Sequence, residues 1–505
     1  MDGHHSDVEL LLEALRADPG REALVYGERR ITAGEAADRT HRIAHALDGR
    51  VGPGDVVGVL AGNSPDGILA RWAVNLLGAA VTQPHEGLSP QSRARIVDDV
   101  DAALVLVDTR HAATAPEALA QARPVDVLGL GTSGPHGTWT DLFELADGRS
   151  AEPVTGRSRP GDVQQVRHTG GTTGHPKGIV HTFDHHVRSA RVRAAHAEER
   201  QVRMLLATPV AHAGGGLADR LLAAGGTVVL QEGFEAGAFL AAIERERITD
   251  SWLLPPLIYR LLDHPDLDET NLSTLHTIVY GGAPANPGRM AEATERSGLV
   301  FVQVYGQTEA GGISMLTAQE HAKPELLETV GRPIPTTEIR IRDDDGAARQ
   351  DGERGHLWVR TGTEMDGYWK QPELTDATIS DGWVRTGDIA YVDDAGYLHL
   401  VDRASDVVVV VGGHVYTSEL EDTLMSHDGV RQAAVFGVPD ADGVETVHAA
   451  VVPAGPAPAE RDLGAHVARH SGDMYVPQEI AFVDALPLTD IGKTDKLALR
   501  AGLSG

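Results

Sequence analysis

Between residues 56 and 304, short apolar runs alternate with longer stretches of helical spacing. That alternation restricts the chain to parallel sheets covered by helices. The runs are Val56 to Leu60, Ala79 to Thr82, Ala103 to Val107, Val125 to Leu128, Met204 to Ala207, Thr227 to Leu230, Thr277 to Tyr280 and Phe301 to Val304; Asp66 to Leu77 exemplifies the helices. Ahead of them, Asp7 to Leu15 is helical in spacing and Ala23 to Tyr26 reads as a strand. Thr32, with Glu35 three residues later, is a capping box opening a helix through Leu47. From Val330 onward the pattern becomes short β elements and turns (Ile339 to Ile341, Gly355 to Val359, Trp383, Tyr397 to Leu400), which predicts a small β-rich subdomain. Asp343-Asp344-Asp345-Gly346 lacks the spacing of a calcium loop and reads as a turn. Asp402 to Ala404 form the boundary of a last α/β unit, with a strand at Asp406 to Val411, a helix at Ser418 to Ser426, and strands at Ala434 to Val438 and Thr446 to Val452. A chain of 505 residues exceeds what one core organises.

After the Pro/Gly/Ser-rich stretch Pro153 to Asp162 comes His168-Thr169-Gly170-Gly171-Thr172-Thr173-Gly174-His175-Pro176-Lys177-Gly178, set between strands. Glycines let backbone N–H groups converge on an anion, threonines add donors, and the lysine adds a mobile charge, so the run suits phosphate oxygens. It is not the Walker P-loop, because Pro176 precedes the lysine and Gly178 follows it. Standing alone, such a run is also compatible with an ordinary flexible surface loop, the lesser of the two readings.

It does not stand alone. Tyr305-Gly306-Gln307-Thr308-Glu309 follows the apolar stretch Leu299 to Val304, Thr386-Gly387-Asp388 follows Asp381-Gly382-Trp383, Asp402-Arg403 leads a valine-rich strand ending at Gly412-Gly413, and Gly492-Lys493 lies near the C-terminus. In this order the motifs resemble the AMP-forming adenylating superfamily of acyl- and aryl-CoA synthetases, peptide-synthetase adenylation domains and luciferases. The resemblance spans nearly the whole chain and is nearest in pattern to acyl- and aryl-CoA ligases. It implies an α/β fold: a large N-terminal domain, 1–402, of two helix-covered sheets plus the β-rich subdomain, then a small mobile α/β cap, 403–505.

The resemblance also implies roles. Thr169, Gly170, Gly171, Thr172, Thr173, Gly174 and Lys177 enclose the β- and γ-phosphates of ATP. Thr308 contacts the α-phosphate and Glu309 holds Mg²⁺. Gly281-Gly282-Ala283-Pro284 and Tyr305, with Gly306 and Gln307, hold adenine. Asp388 grips the ribose hydroxyls and Arg403 adds charge near them. Lys493 is the catalytic lysine, reaching both the acid and the α-phosphate, and Ser405 is the hinge, where many relatives have Asp or Lys. In the rotated state the glycine end Gly412-Gly413 would admit a pantetheine arm. His212, Ala213, Gly214, Tyr280, Gly281, Gly306, Gly311, Gly312 and Ile313 line the acid pocket. His212 stands where α-amino-acid-activating domains carry aspartate, which argues against a standard α-amino acid; it contacts or gates the acid. Thr308, Lys177, His212 and Lys493 form the catalytic set, while Lys496 and Arg500 are expected to solvate the terminal segment.

Net charge −29 excludes non-specific nucleic-acid or anionic-membrane binding. The five lysines, Lys177, Lys323, Lys370, Lys493 and Lys496, stand against an arginine-rich background, so two inside motifs are conspicuous. Cysteine is absent, removing disulfides and thiolate chemistry. Neither a signal peptide nor an apolar stretch of about 18 residues appears, so a cytoplasmic location is expected. The leading reading is a two-step ligase in which acid and ATP give acyl-AMP and pyrophosphate, and coenzyme A then displaces AMP. The competing readings are transfer to a separate carrier protein's pantetheine or to an amine, activation of an oxyanion other than a carboxylate, and a non-catalytic nucleotide-binding scaffold. The cofactors implied are ATP, Mg²⁺ and coenzyme A. The partners implied are a small carboxylic acid, coenzyme A or a carrier protein, and at most a second copy of the chain.

Overall fold

Val57, Val59, Leu104 to Val107, Leu205, Leu206 and Val228 are nearly inaccessible to solvent, as strands covered on both faces must be. They belong to a computed structural model that describes residues 6–84, 88–169, 177–194, 201–404, 406–410, 413–439, 445–472, 475–489 and 493–503. Among these, two large sheets dominate. One has eight strands, from Gly367–Tyr368 through Lys177–Thr182, Val163–Thr169, Ala80–Thr82, Val56–Leu60, Leu104–Asp108 and Asp126–Leu130 to Thr140–Asp141. The other has nine, from Arg332–Pro333 through Gly311–Leu316, Val300–Gln307, Thr277–Gly281, Asp250–Leu253, Arg203–Leu206, Thr227–Leu230 and Glu22–Tyr26 to Arg29–Thr32.

Helices fill the space beside these sheets. Asp7–Ala17 starts with a capping box, Ser6 with Glu9, and Ala33–Leu47 with the expected Thr32 and Glu35. Pro65–Leu76 buries Trp72 completely. Asp250–Leu253 is a strand that the apolar pattern does not announce, because it opens on Asp250 and Ser251. Ser251 is buried there with its hydroxyl donating to the Leu205 carbonyl at 2.8 Å, so the polar residue is satisfied sideways.

The interior strands of both sheets pair in parallel, and both sheets change direction near one place. Val163–Thr169 pairs antiparallel with Lys177–Thr182, and Val300–Gln307 with Gly311–Leu316, so each sheet ends its parallel run in a hairpin. The second hairpin shifts register between Tyr305 and Gly306, a bulge that re-aims the residues before the turn. A five-stranded antiparallel sheet follows, with Glu338–Arg342, Gly355–Arg360, Trp383–Val392 and Ile379–Ser380 in line and Leu398–Arg403 beside Trp383–Val392. Asp343 to Gly346 form a turn closed by the Asp343 N–H donating to the Ala347 carbonyl and the Gly346 N–H donating to the Asp343 carbonyl, each at 3.0 Å.

Past Arg403, no described strand returns to these three sheets. Val408–Val410 pairs with Gly413–Val415, and Val430–Pro439, Glu445–Pro453 and Glu479–Phe482 make a small sheet carrying helices Thr417–Met425, Glu460–Ser471 and Lys496–Leu503. Asp402 ties the two parts together by accepting from the Thr417 backbone N–H at the start of the first of these helices. Among the described residues no helix is long and apolar enough to cross a membrane.

Candidate active site

The site is built where the two hairpins meet the five-stranded sheet and the terminal segment. Asp388 and Arg403 are direct cross-strand partners, and the register places carboxylate against guanidinium: Arg403 Nε lies 2.8 Å from Asp388 Oδ1. The Tyr305 hydroxyl donates to Asp388 Oδ2, and Gln307 Nε2 donates to the Thr386 carbonyl at 3.2 Å. Asp388 is 4% exposed, and burial raises its pKa although Arg403, Tyr305 and Lys493 oppose the shift. Burial and the neighbouring Asp388 charge push the Tyr305 phenol well up, so it stays a donor.

Lys493 arrives from the far end of the sequence. Its backbone N–H donates to Thr489 Oγ1 at 3.1 Å, and the Thr489 N–H returns a bond to its carbonyl at 2.6 Å. Burial and the Arg403 charge lower its pKa, while Asp388 and Glu309 work to raise it. Those three neighbours put its ammonium in the same cluster. Among the described residues no carboxylate forms an ion pair with it.

Thr308 and Glu309 occupy the turn between Val300–Gln307 and Gly311–Leu316. The Thr308 carbonyl accepts from His181 Nε2 at 3.1 Å, which assigns that proton to Nε2. Glu309 Oε1 accepts from the Tyr368 hydroxyl at 3.1 Å, and Oε2 receives no hydrogen bond from the described residues. Lys177 opens its strand with its ammonium 5.7 Å from the centre of the Tyr368 ring. Three cations, Lys177, Arg403 and Lys493, thus meet two carboxylates, Asp388 and Glu309. This is a locally cationic spot in a chain of net charge −29.

Other expected residues fall as follows. Thr169 ends its strand opposite Lys177, and Gly170, Gly171, Thr172, Thr173 and Gly174 lie outside the described residues, as do Ser405 and Gly412. Gly281 ends a strand so close to its neighbour that a Cβ would lie 2.1 Å from the Val304 carbonyl oxygen; Gly282 follows with φ +77°, ahead of Ala283 and Pro284. His212 lies not in a plain loop but in one π-helical turn, Val210–Gly214, which also holds Ala213 and leads into helix Gly215–Ala223.

Some expectations need correcting. Tyr280 is 1% exposed and its hydroxyl shares a 2.9 Å hydrogen bond with His321 Nε2, so its side chain is core, not pocket wall. Ile313 is fully buried among Ala310, Val330 and Leu357. Gly306 and Gly311 are glycine because the hairpin demands it: a Cβ on Gly306 would stand 2.3 Å from the Gly311 carbonyl oxygen, and one on Gly311 would stand 2.3 Å from Thr363 Oγ1. Gly312 packs against Ile334. These glycines are therefore set by close backbone packing. Lys496 is not a solvated residue either. Its ammonium lies 2.8 Å from Glu421 and donates to Thr417 Oγ1 at 3.0 Å.

Tyr368 and His181 were missed. Tyr368 carried a weak signal, an aromatic pair with Trp369 in a chain only 4% aromatic; His181, one of 24 histidines, carried none.

A magnesium ion prefers oxygen ligands and commonly takes one or two protein carboxylates plus phosphates. Glu309, with one oxygen free of protein donors, fits that habit, and no larger cluster of metal-ligating side chains occurs among the described residues.

Residues 11–369 match the family model described as AMP-binding enzyme, and residues 419–493 that of the AMP-binding enzyme C-terminal domain. The chain is similar to a medium/long-chain-fatty-acid–CoA ligase of Mycobacterium tuberculosis, 33% identical over 509 residues that cover 97% of this chain and 89% of the relative. It is also similar to a feruloyl-CoA synthase of an Amycolatopsis species, 32% identical over 492 residues covering 96% of both. Among solved structures, an amide bond synthetase from Marinactinospora thermotolerans superposes with a TM-score of 0.88 at 37% identity, covering 97% of this chain and 99% of that one.

Proposed function

The chain belongs to the AMP-binding enzyme family, and from that premise we propose how its residues divide the work of an AMP-forming ligase. The reaction class is ATP-dependent activation of a carboxylic acid to acyl-AMP with release of pyrophosphate, followed by acyl transfer. The observation that carries the division of labour is the convergence of Lys493, from the terminal segment, on the Asp388–Arg403 pair and Glu309.

Bringing a carboxylate against the α-phosphate sets two anions face to face, so positioning and electrostatics outweigh any need for a protein nucleophile. Lys493, which no carboxylate among the described residues pairs with, sits between the approaching oxygen and the phosphate. Arg403 opposes the rise that burial gives the Asp388 pKa, and Asp388 accepts from the ribose hydroxyls. Tyr305 and the Gly281 to Pro284 turn enclose the adenine. The Thr308 hydroxyl meets the α-phosphate on a turn held by His181. Lys177, with Thr169 and the glycines and threonines up to Gly174, neutralises the β- and γ-phosphates. Glu309 holds Mg²⁺, which when bound spreads the charge of the departing pyrophosphate. Ser405 serves as the hinge that withdraws Lys493 once the adenylate has formed.

Coenzyme A is the proposed acyl acceptor, in keeping with relatives named as CoA ligases. A second reading, transfer to an amine, is favoured by the 37% identity to the amide bond synthetase over nearly both whole chains. The test is pyrophosphate release over a panel of aryl and aliphatic acids, repeated with coenzyme A and with amines, the products being weighed by mass spectrometry. An acyl-CoA supports the first acceptor and an amide the second. Formation of ADP in place of AMP during acid-dependent turnover would overturn the mechanism.

A further inference from the structure

Arg167 is a half-buried cation that nothing in the proposed chemistry uses. Side chains alternate along Val163–Thr169, so Gln165, Arg167 and Thr169 share a face with their partners His181, Ile179 and Lys177. That face carries the Lys177 ammonium toward Tyr368 and the His181 ring toward Thr308, so Arg167 lies one row of side chains inward from the phosphate end of the site. Its Nη2 donates to Gln165 Oε1 at 3.0 Å, while its buried Nε has no hydrogen-bond partner. Among the described residues no carboxylate pairs with it.

The neighbouring anions are engaged elsewhere. Arg71 grips both oxygens of Asp219 at 2.7 Å, and Trp72 Nε1 adds a third bond at 2.8 Å. Asp7, raised to about 7 by burial and by Asp219, is only half ionised near neutrality. Burial and the Arg71 charge pull the Arg167 guanidinium down to about 10. Arg167 and His186 remain partly accessible, and the Arg71 and Asp219 side chains are 12% and 22% exposed, so these groups border a recess. His186 Nε2, buried and without a partner, belongs to the same recess, its ring 5.2 Å from His185 and 5.8 Å from His181.

Asp219 lies on helix Gly215–Ala223, which leads out of the His212 turn, and His181 holds the Thr308 carbonyl, so the recess lies between the acid pocket's helix and the phosphate-facing turn. We propose that this recess receives the far end of the acid, and that the acid carries a second carboxylate there, paired with Arg167, while its first carboxylate faces Lys493. The proposal rests on the acid-activating reading above. A guanidinium matches a carboxylate bidentately, and an enclosed charge without a partner is what such a ligand relieves.

The test compares α,ω-dicarboxylates and aryl dicarboxylates with monocarboxylates of the same length and shape, by kcat/KM for acid-dependent pyrophosphate release. One diacid length is expected to exceed its monoacid by about a hundredfold, and Arg167→Met to remove most of that ratio while the KM for MgATP holds. Arg167→Lys, which keeps the charge, is expected to restore part of it. If Arg167→Met fails to fold, protection of the wild-type protein against thermal unfolding by the preferred diacid, and not by its monoacid, serves instead. Monoacids turning over better than every diacid would overturn this proposal and leave the ligase reading standing. So would an Arg167→Met effect confined to the KM for MgATP, which would assign the guanidinium to the triphosphate. No release with any acid would overturn both.

Discussion

Lys493 and Lys496 share one terminal segment three residues apart, but the molecule treats their charges in opposite ways. Lys496 is held by Glu421 at 2.8 Å and by Thr417, and although burial works against its charge, Glu421 and Asp402 outweigh it and raise its pKa. Lys493 has no carboxylate partner among the described residues, and burial with the Arg403 charge lowers its pKa. The paired cation fixes the small unit's helices to one another. The unpaired one lies beside Arg403, Asp388 and Glu309, where the proposed mechanism brings two anions together. The lesson repeats in the interior, where Arg71 is matched to Asp219 and Arg167 to no acid among the described residues. A buried cation left without a carboxylate marks a place prepared for a ligand better than burial alone does.

The sharpest way to break this comparison is Lys493→Ala, which should lower acid-dependent pyrophosphate release by about 10²- to 10³-fold while leaving the melting temperature unchanged. Transfer from preformed acyl-AMP should fall far less, and equal loss in both half-reactions would remove Lys493 from its role. Next, Asp388→Asn takes away the acceptor shared by Tyr305 and Arg403; the KM for ATP should rise by about tenfold to a hundredfold, read from initial rates at saturating acid.

Lys496→Met should do the reverse of Lys493→Ala. It leaves Glu421 without its cation, so denaturant unfolding should report a loss of about 2 kcal/mol, with turnover of the folded enzyme changed little. Adding Glu421→Leu should recover part of that loss. A large fall in kcat with unchanged stability would mean that Lys496, too, serves the chemistry.

The smallest effect concerns pH. Burial raises Asp422 and Asp7 to about 7 and Asp402 to about 6, all above the ordinary value of 3.8. Between about 4 and 7 the folded protein therefore binds protons that the unfolded chain has released, and these groups make stability decline as pH rises through that window. Asp422→Asn should flatten the decline, measured as melting temperature against pH. A slope identical to wild type would show that Asp422 is paired in solution.

Much of the fold was legible because its signals are local. The Thr32–Glu35 capping box and the doubly buried valine runs need only a few neighbouring residues to declare themselves. The missed strand at Asp250–Leu253 failed that test, since its buried serine is satisfied by a carbonyl 46 positions away. The site divides in the same way. Thr308, Glu309, Asp388, Arg403 and Lys493 stand in motifs that a reader can align. Tyr368 reaches Glu309 across 59 residues, and His181 reaches Thr308 across 127, so neither contact has a sequence pattern. Tyr280 and Ile313 were misread because strand neighbours of a pocket residue point to the opposite face.

The sequence by itself determined the element order, the glycine-rich run between two strands and the kinds of residue available for nucleotide binding. These follow from periodicity and from the backbone freedom of glycine. Only the tertiary structure decided which charges are neutralised. Whether Lys493, Lys496 or Arg167 meets a carboxylate depends on strands and helices far apart in the chain, and the energy of a charge is set by what surrounds it in space.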